Sequence, residues 1–259
     1  MNSLRRMVIF IWTLSAAVAI SVGAQETTTS GTLPASISPA PSPGKWQKFW
    51  INRVEEFIEE NKTLEPTKRN IVFVGDSLTQ GFKLKSFFPG LPALNRGIVS
   101  DGMCDFPSGR NIWRGVTRRM DESIFDCNPS HVFFLVGTND VGVLDVPLEY
   151  WLAGYKYVTS RTLKKFPDVK IILVTCPPSG EAYTRNKTLN ARILEWNVLI
   201  RRFATDENFR LIDLYALLAD KEGMLPPDLT RDGLHFNQTG YERWADAVRA
   251  ILREDGLIE

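Results

Sequence analysis

Histidine is the scarcest chemistry-bearing residue in this 259-residue chain; only His131 and His235 occur. With no His-x-x-x-His pair, a zinc hydrolase has no ligand set to draw on. Cysteine is nearly as sparse, at Cys104, Cys127 and Cys176. No two of these are spaced as Cys-x-x-Cys, which excludes a cysteine zinc site, and an odd number cannot close a full disulfide framework. One bridge, for example Cys104–Cys127, stays open in an oxidising compartment. A Gly-x-Gly-x-x-Gly fingerprint after a strand is missing, as is a Walker A loop, which argues against a nucleotide enzyme. Neither sign of charge is in excess: 31 Lys and Arg face 30 Asp and Glu. The chain therefore offers no global attraction for nucleic acid or an anionic membrane. What is present is an ordinary globular composition, 44% hydrophobic and 24% charged, at a length that suits one α/β domain with a sizeable core.

The N-terminus reads as a secretory signal. Arg5 and Arg6 precede an apolar stretch from Met7 to about Val22, and Val22-Gly23-Ala24 offers small residues for cleavage before Gln25. The stretch is shorter than the roughly 20 residues a spanning helix needs, so a cleaved signal over 1–24 is expected, with no stable membrane insertion afterwards. An uncleaved N-terminal anchor is the alternative. A secreted or periplasmic location follows. Residues 25–45, rich in Thr, Ser, Pro, Gly and Ala, are expected to form a disordered linker.

From residue 46 the pattern changes, and 46–259 is expected to form the functional domain. Trp46, Phe49, Trp50, Val54 and Phe57 recur at helical spacing, predicting an amphipathic helix to about Asn61. Short apolar runs at 71–74, 93–94, 132–136, 169–174 and 211–214 predict buried strands. Helical patterns lie near 110–122, 147–165, 187–204 and 238–253. Strands alternating with helices imply a parallel sheet covered on both faces, with ligands bound at the carboxyl ends of its strands.

Four motifs fall at such ends. Gly75-Asp76-Ser77-Leu78 follows the first strand and places a serine hydroxyl at the catalytic edge, although a plain helix cap gives the same pattern. Asn95-Arg96-Gly97 and Ser100-Asp101-Gly102 follow the second strand, where a backbone N–H can face a reacting oxygen. Gly137-Thr138-Asn139-Asp140 ends the third, where the Asn139 amide can serve an oxyanion or merely close a turn. Asp232-Gly233-Leu234-His235 precedes the last helix; this spacing allows a carboxylate to orient an imidazole that acts as base toward a serine. His131 opens a strand and reads as structural. Cys176, in Cys176-Pro177-Pro178, reads as a small buried residue. The three sequons at Asn61, Asn186 and Asn237 carry meaning only in a eukaryotic secretory host.

Taken jointly, these motifs resemble the SGNH/GDSL hydrolase superfamily over roughly Trp46 to the end. The first block is matched by Gly75-Asp76-Ser77-Leu78, the second by Asn95-Arg96-Gly97, the third by Gly137-Thr138-Asn139-Asp140 and the fifth by Asp232 to His235. The opening helix and the run into Ser77 are similar to the catalytic-subunit branch of platelet-activating-factor acetylhydrolase. The resemblance implies a flavodoxin-like three-layer α/β/α sandwich on a five-stranded parallel sheet. It also implies a serine esterase needing no cofactor or metal, with Ser77, Asp232 and His235 catalytic and Ser77, Ser100 and Asn139 forming the oxyanion hole. The chain departs from that branch at one point: Ser100 stands where a glycine usually donates its N–H, which leaves Gly97 as the other candidate donor, with Ser100 preferred.

A small-acyl ester, such as an O-acetyl group on carbohydrate, is the expected substrate. A longer-chain lysophospholipase or thioesterase is the same-class alternative, and a non-catalytic glycan- or partner-binding protein on the same fold the different-class one. Residues 179–190 are expected to contribute substrate contacts.

Overall fold

The structure is a computed structural model and describes residues 44–104, 114–183 and 186–259. The expected signal peptide, and the expected linker apart from Gly44 and Lys45, lie outside the described residues. Helix α1 (Lys45–Asn61) leads into strand β1 (Asn70–Gly75), the short helices α2 (Ser77–Gln80) and α3 (Leu84–Phe87), and β2 (Ala93–Gly97). After α4 (Met120–Ser123) come β3 (Pro129–Leu135), α5 (Leu148–Lys165), β4 (Lys170–Val174), α6 (Asn186–Asp206), β5 (Arg210–Ile212), α7 (Leu214–Leu218) and α8 (Gln238–Glu254).

All five strands are parallel, in the order β2-β1-β3-β4-β5. Every residue of β1 is buried, as expected of a central strand covered on both faces. Its alternate side chains feed two separate cores. Val72 and Val74, with Val132 and Phe134 of β3, pack against Trp151 and Val158 of α5 and Trp196 of α6. Ile71 and Phe73, with Phe133 and Leu135, pack instead with Leu78, Leu214 and Trp244 from α2, α7 and α8. Two cores on opposite faces of one sheet make the three-layer sandwich, and the strand order is that of the flavodoxin type. The chain leaves β1 toward β2 on one side and reaches β3 on the other, so the loops after β1 and β3 diverge at a topological switch point.

Two expectations need correction. The helix anticipated over 110–122 is, among the described residues, a 3₁₀ turn at Val116–Arg118 and the single turn of α4. The break falls at Arg119, whose φ of −127° is not helical and whose guanidinium turns inward to bond the carbonyls of Gly75 and Arg96. The last strand stops at Ile212, short of residue 214, because Asp213 caps α7 through the Ala216 N–H at 3.2 Å. Cys104, Cys127 and Cys176 are all buried, and no disulfide joins Cys104 to Cys127.

Candidate active site

Strand β1 delivers Ser77 to the carboxyl edge of the sheet, and its surroundings leave little freedom there. A Cβ on Gly75 would lie 2.5 Å from the Leu135 carbonyl oxygen and 2.0 Å from Thr79 Oγ1. A Cβ on Gly97 would lie 2.1 Å from the Gln80 nitrogen, so the end of β2 presses directly on α2. Asp76 caps that helix, accepting the Leu78 N–H at 3.0 Å. The far end of the helix is held by side chains: Asn95 Nδ2 donates to the Thr79 and Phe82 carbonyls, and the Tyr241 hydroxyl donates to Leu78 O at 2.9 Å. Ser77 is thus fixed by groups that come from three other elements.

The loop before α8 carries the partners of Ser77. Thr230 Oγ1 accepts the Gly233 N–H at 2.9 Å and donates to His235 O at 2.8 Å, which closes the loop into a compact turn. Inside it Asp232 Oδ1 accepts the N–H groups of Leu234 (3.0 Å) and His235 (2.7 Å). Asp232 Oδ2 lies 2.7 Å from His235 Nδ1, and His235 Nε2 lies 3.1 Å from Ser77 Oγ. A carboxylate can only accept, so Nδ1 carries the ring proton and Nε2 is left to accept from the serine hydroxyl. Partial burial acts to raise the Asp232 carboxyl, but the His235 ring and the two backbone N–H groups outweigh it and hold it below the usual carboxylate range.

The third component lies between the loops after β2 and β3. Asn139 Nδ2 donates to Asp101 O at 3.0 Å and faces Asp76 Oδ2 at 3.4 Å, so its amide spans the Ser77 loop and the Ser100–Asp101 loop. Residues 98–101 form a turn closed by Asp101 N to Ile98 O at 3.1 Å, with Ser100 at φ +62°. That left-handed angle is the one glycine adopts without penalty. The N–H of Gly97 is spent on Asn95 Oδ1 at 2.9 Å, whereas the N–H groups of Ser77 and Ser100 have no acceptor among the described residues.

Beneath this edge lies a buried charge network that sequence reasoning missed. Asp101 receives Arg119 Nε at 2.8 Å and Trp50 Nε1 at 3.1 Å. Arg119, wholly buried, also bonds the carbonyls that end β1 and β2, so one guanidinium ties the Ser77 and Ser100 loops together. Asp140 accepts the Met103 N–H, and burial pushes its carboxyl well above the usual range. Burial likewise raises Asp76 to about 7, opposed by the Leu78 N–H and by nearby His235. An Arg-Arg pair before a short polar stretch reads as solvent-facing, so nothing in residues 118–123 signals that Arg119 turns inward.

The expected residues therefore meet at one edge: Ser77, Asp232 and His235 in hydrogen-bonded sequence, with Asn139 and Ser100 on the adjoining loops. His131 lies in β3, buried against Asp255, and Cys176 is buried with burial pushing its thiol up. Beside Asp232 opens a groove of about 390 Å³ between residues 180–182 and 225–233. Its walls are clamped backbone to backbone by Gly180 N to Gly233 O, at 2.6 Å, and Leu225 N to Ser179 O, at 3.3 Å. Asn190 of α6 anchors one wall by bonding both the N–H and the carbonyl of Ser179.

Residues 73–243 match the GDSL-like Lipase/Acylhydrolase family. Among solved structures the chain is similar to a Streptococcus pneumonia protein named provisionally as a platelet activating factor. That match has 23% identity and a TM-score of 0.68, covering 79% of this chain and 93% of that one. It is also similar to a GDSL-like lipase of Bacteroides thetaiotaomicron (20% identity, TM-score 0.67, 78% and 98% covered). An acetylxylan esterase of Geobacillus stearothermophilus shares the fold at 21% identity, with TM-score 0.53 and 73% and 95% covered. A curated sequence relative, the N-acylneuraminate cytidylyltransferase of Escherichia coli O18:K1:H7, is 33% identical over 123 residues. That match spans 47% of this chain but 28% of the relative's length.

Proposed function

Because the chain belongs to the GDSL-like lipase/acylhydrolase family and is an ester hydrolase, we propose that it removes small acyl groups, O-acetyl above all, from carbohydrate by an acyl-enzyme mechanism. The observation that carries the mechanism is the unbroken chain Asp232 Oδ2–His235 Nδ1 at 2.7 Å and His235 Nε2–Ser77 Oγ at 3.1 Å. His235 takes the Ser77 proton as the hydroxyl oxygen attacks the ester carbonyl. The tetrahedral oxyanion is met by the N–H groups of Ser77 and Ser100 and by the Asn139 amide. Asp232 stabilises the imidazolium formed in this step. Collapse expels the alcohol oxygen, to which His235 returns the proton. Water then adds to the acyl-enzyme by the same route and releases the acid and free Ser77. No step calls for a metal or cofactor.

The carbohydrate part rests on the expected export of the chain and on a shared fold with an acetylxylan esterase. The cytidylyltransferase match covers too little of that protein to carry its activity here. Export itself is read from Arg5, Arg6 and the apolar stretch after them, and the mature protein is expected to begin near Gln25. A panel of p-nitrophenyl acetate, butyrate and octanoate beside acetylated xylan tests the reading. Acetate and acetylxylan are expected to be hydrolysed fastest. A preference for octanoate favours a lipid or thioester substrate, and inactivity throughout favours a binding role.

A further inference from the structure

We propose that the groove beside Asp232 binds the sugar residues on the alcohol side of the ester, with Glu181 and Arg231 engaging their hydroxyls. This rests on the esterase reading and deepens it. The triad itself sets a direction. His235 Nε2 must return its proton to the leaving oxygen, so the alcohol half of the substrate lies on the side of the 230–235 loop. The oxyanion donors sit on the other side, on the loops after β2 and β3. The groove shares Asp232 with the triad, and neither Asn139 nor Ser100 lines it. A small alcohol held at Nε2 leaves this space empty, whereas a glycan chain running over His235 enters it.

The groove is also built rather than incidental. Gly233 has φ +83°, and a Cβ there would stand 2.5 Å from the Tyr183 nitrogen. A Cβ on Gly180 would stand 2.6 Å from the Leu225 carbonyl oxygen. Two glycines thus let the walls touch through their backbones, with Glu181 on one wall and Arg231 on the other. Both side chains are exposed, and neither forms an ion pair among the described residues. A carboxylate and a guanidinium lining one cleft can accept and donate hydrogen bonds to a neutral polyol without requiring a charged ligand.

The test compares wild type, Glu181→Gln and Arg231→Gln on p-nitrophenyl acetate and on acetylated xylo-oligosaccharides of two to six sugars. In wild type, kcat/KM is expected to rise with oligosaccharide length. Each variant is expected to lower the ratio of oligosaccharide to p-nitrophenyl acetate kcat/KM by about 10-fold, chiefly through KM, as loss of ground-state binding does. A ratio within about twofold of wild type in both variants overturns the groove assignment and leaves the carbohydrate reading standing. A wild type that cleaves p-nitrophenyl acetate but no oligosaccharide overturns both.

Discussion

The two histidines sit in superficially equivalent settings, one at each end of the sheet, and only one is arranged for chemistry. His235 has Asp232 on Nδ1 and Ser77 on Nε2; His131 has Asp255 on Nε2 at 3.0 Å and Ser130 Oγ on Nδ1 at 3.0 Å. The groups are the same, but their commitments differ. Asp255 also receives Lys170 Nζ at 2.6 Å and Arg210 at 2.9 Å, so its charge is already neutralised. Ser130 Oγ also lies 3.2 Å from Asn70 O, so a backbone carbonyl competes with the ring for its proton. Burial lowers the His131 pKa, and its side chain is 5% exposed against 31% for His235. A serine, a histidine and an aspartate in contact do not by themselves make a catalytic site; the proposed site adds an accessible oxygen, a carboxylate without a competing Lys or Arg, and N–H donors alongside.

Swapping losses between the two clusters is the strongest way to break this contrast. Ser77→Ala is expected to lower kcat by about 10⁴-fold or more, as removal of a triad nucleophile does, and a fluorophosphonate should label Ser77 alone. Ser130→Ala should stay within a few-fold of wild type. Activity retained in the first variant, or lost in the second, would falsify the assignment.

Asn139→Ala addresses the oxyanion donors that His131 lacks. Its amide bond strengthens only as charge develops on the substrate oxygen, so kcat should fall on the order of 10²–10³ with KM nearly unchanged. If Asn139 only shaped its turn, melting temperature would drop while kcat stayed within a few-fold.

The third experiment concerns His131. His131→Gln should leave activity near wild type and cost about 1–3 kcal/mol of stability, because Asp255 and Ser130 lose a buried partner. The pH dependence sharpens it. Since burial, with Lys170 and Arg210 nearby, lowers the His131 pKa, the folded state resists protonation. Its stabilising contribution is complete above the ordinary histidine value of 6.5 and declines as pH falls below it. The gap in melting temperature between wild type and His131→Gln should therefore narrow from pH 8 to pH 5. A constant gap would show that His131 does not titrate with folding.

The smallest effect is expected at Ser100. Ser100→Gly removes a left-handed strain of about 1 kcal/mol and keeps the N–H in place, so the variant should melt slightly higher with kcat little changed. A loss of kcat would mean that the serine side chain itself takes part.

The central strands and the triad were legible in the sequence for a simple reason. The triad residues follow buried apolar runs or a local Asp-x-x-His spacing, and both are local signals. Helices 45–61 and 238–254 were found within a residue or two because an apolar stripe repeats along their length. What stayed hidden depends on contacts distant in sequence. Arg119 reaches Gly75 across 44 positions, and Trp50 reaches Asp101 across 51. The single turns α2, α3 and α7 are too short for a period to show; α2 and α7 are held by side chains, Asn95, Asp213 and Tyr241, that satisfy their ends. Of residues 179–190, expected to contribute substrate contacts, 180–182 line the groove; on the opposite wall at 225–233 only Asp232 and Gly233 carried a sequence signal.

The strand order divides labour in a way that matters for redesign. Ser77, Ser100 and Asn139 follow β1, β2 and β3; Arg119 ties the ends of β1 and β2, and Asn139 joins them through the Asp101 carbonyl, whereas the wall bearing Glu181 follows β4. On the proposed reading, acyl chemistry and alcohol recognition occupy neighbouring but separate parts of the sheet edge. Glu181 and Ala182 are the positions to exchange, while Gly180, whose N–H clamps Gly233 beside Asp232, must be kept. The scaffold behaves as a fixed reaction head with an interchangeable grip.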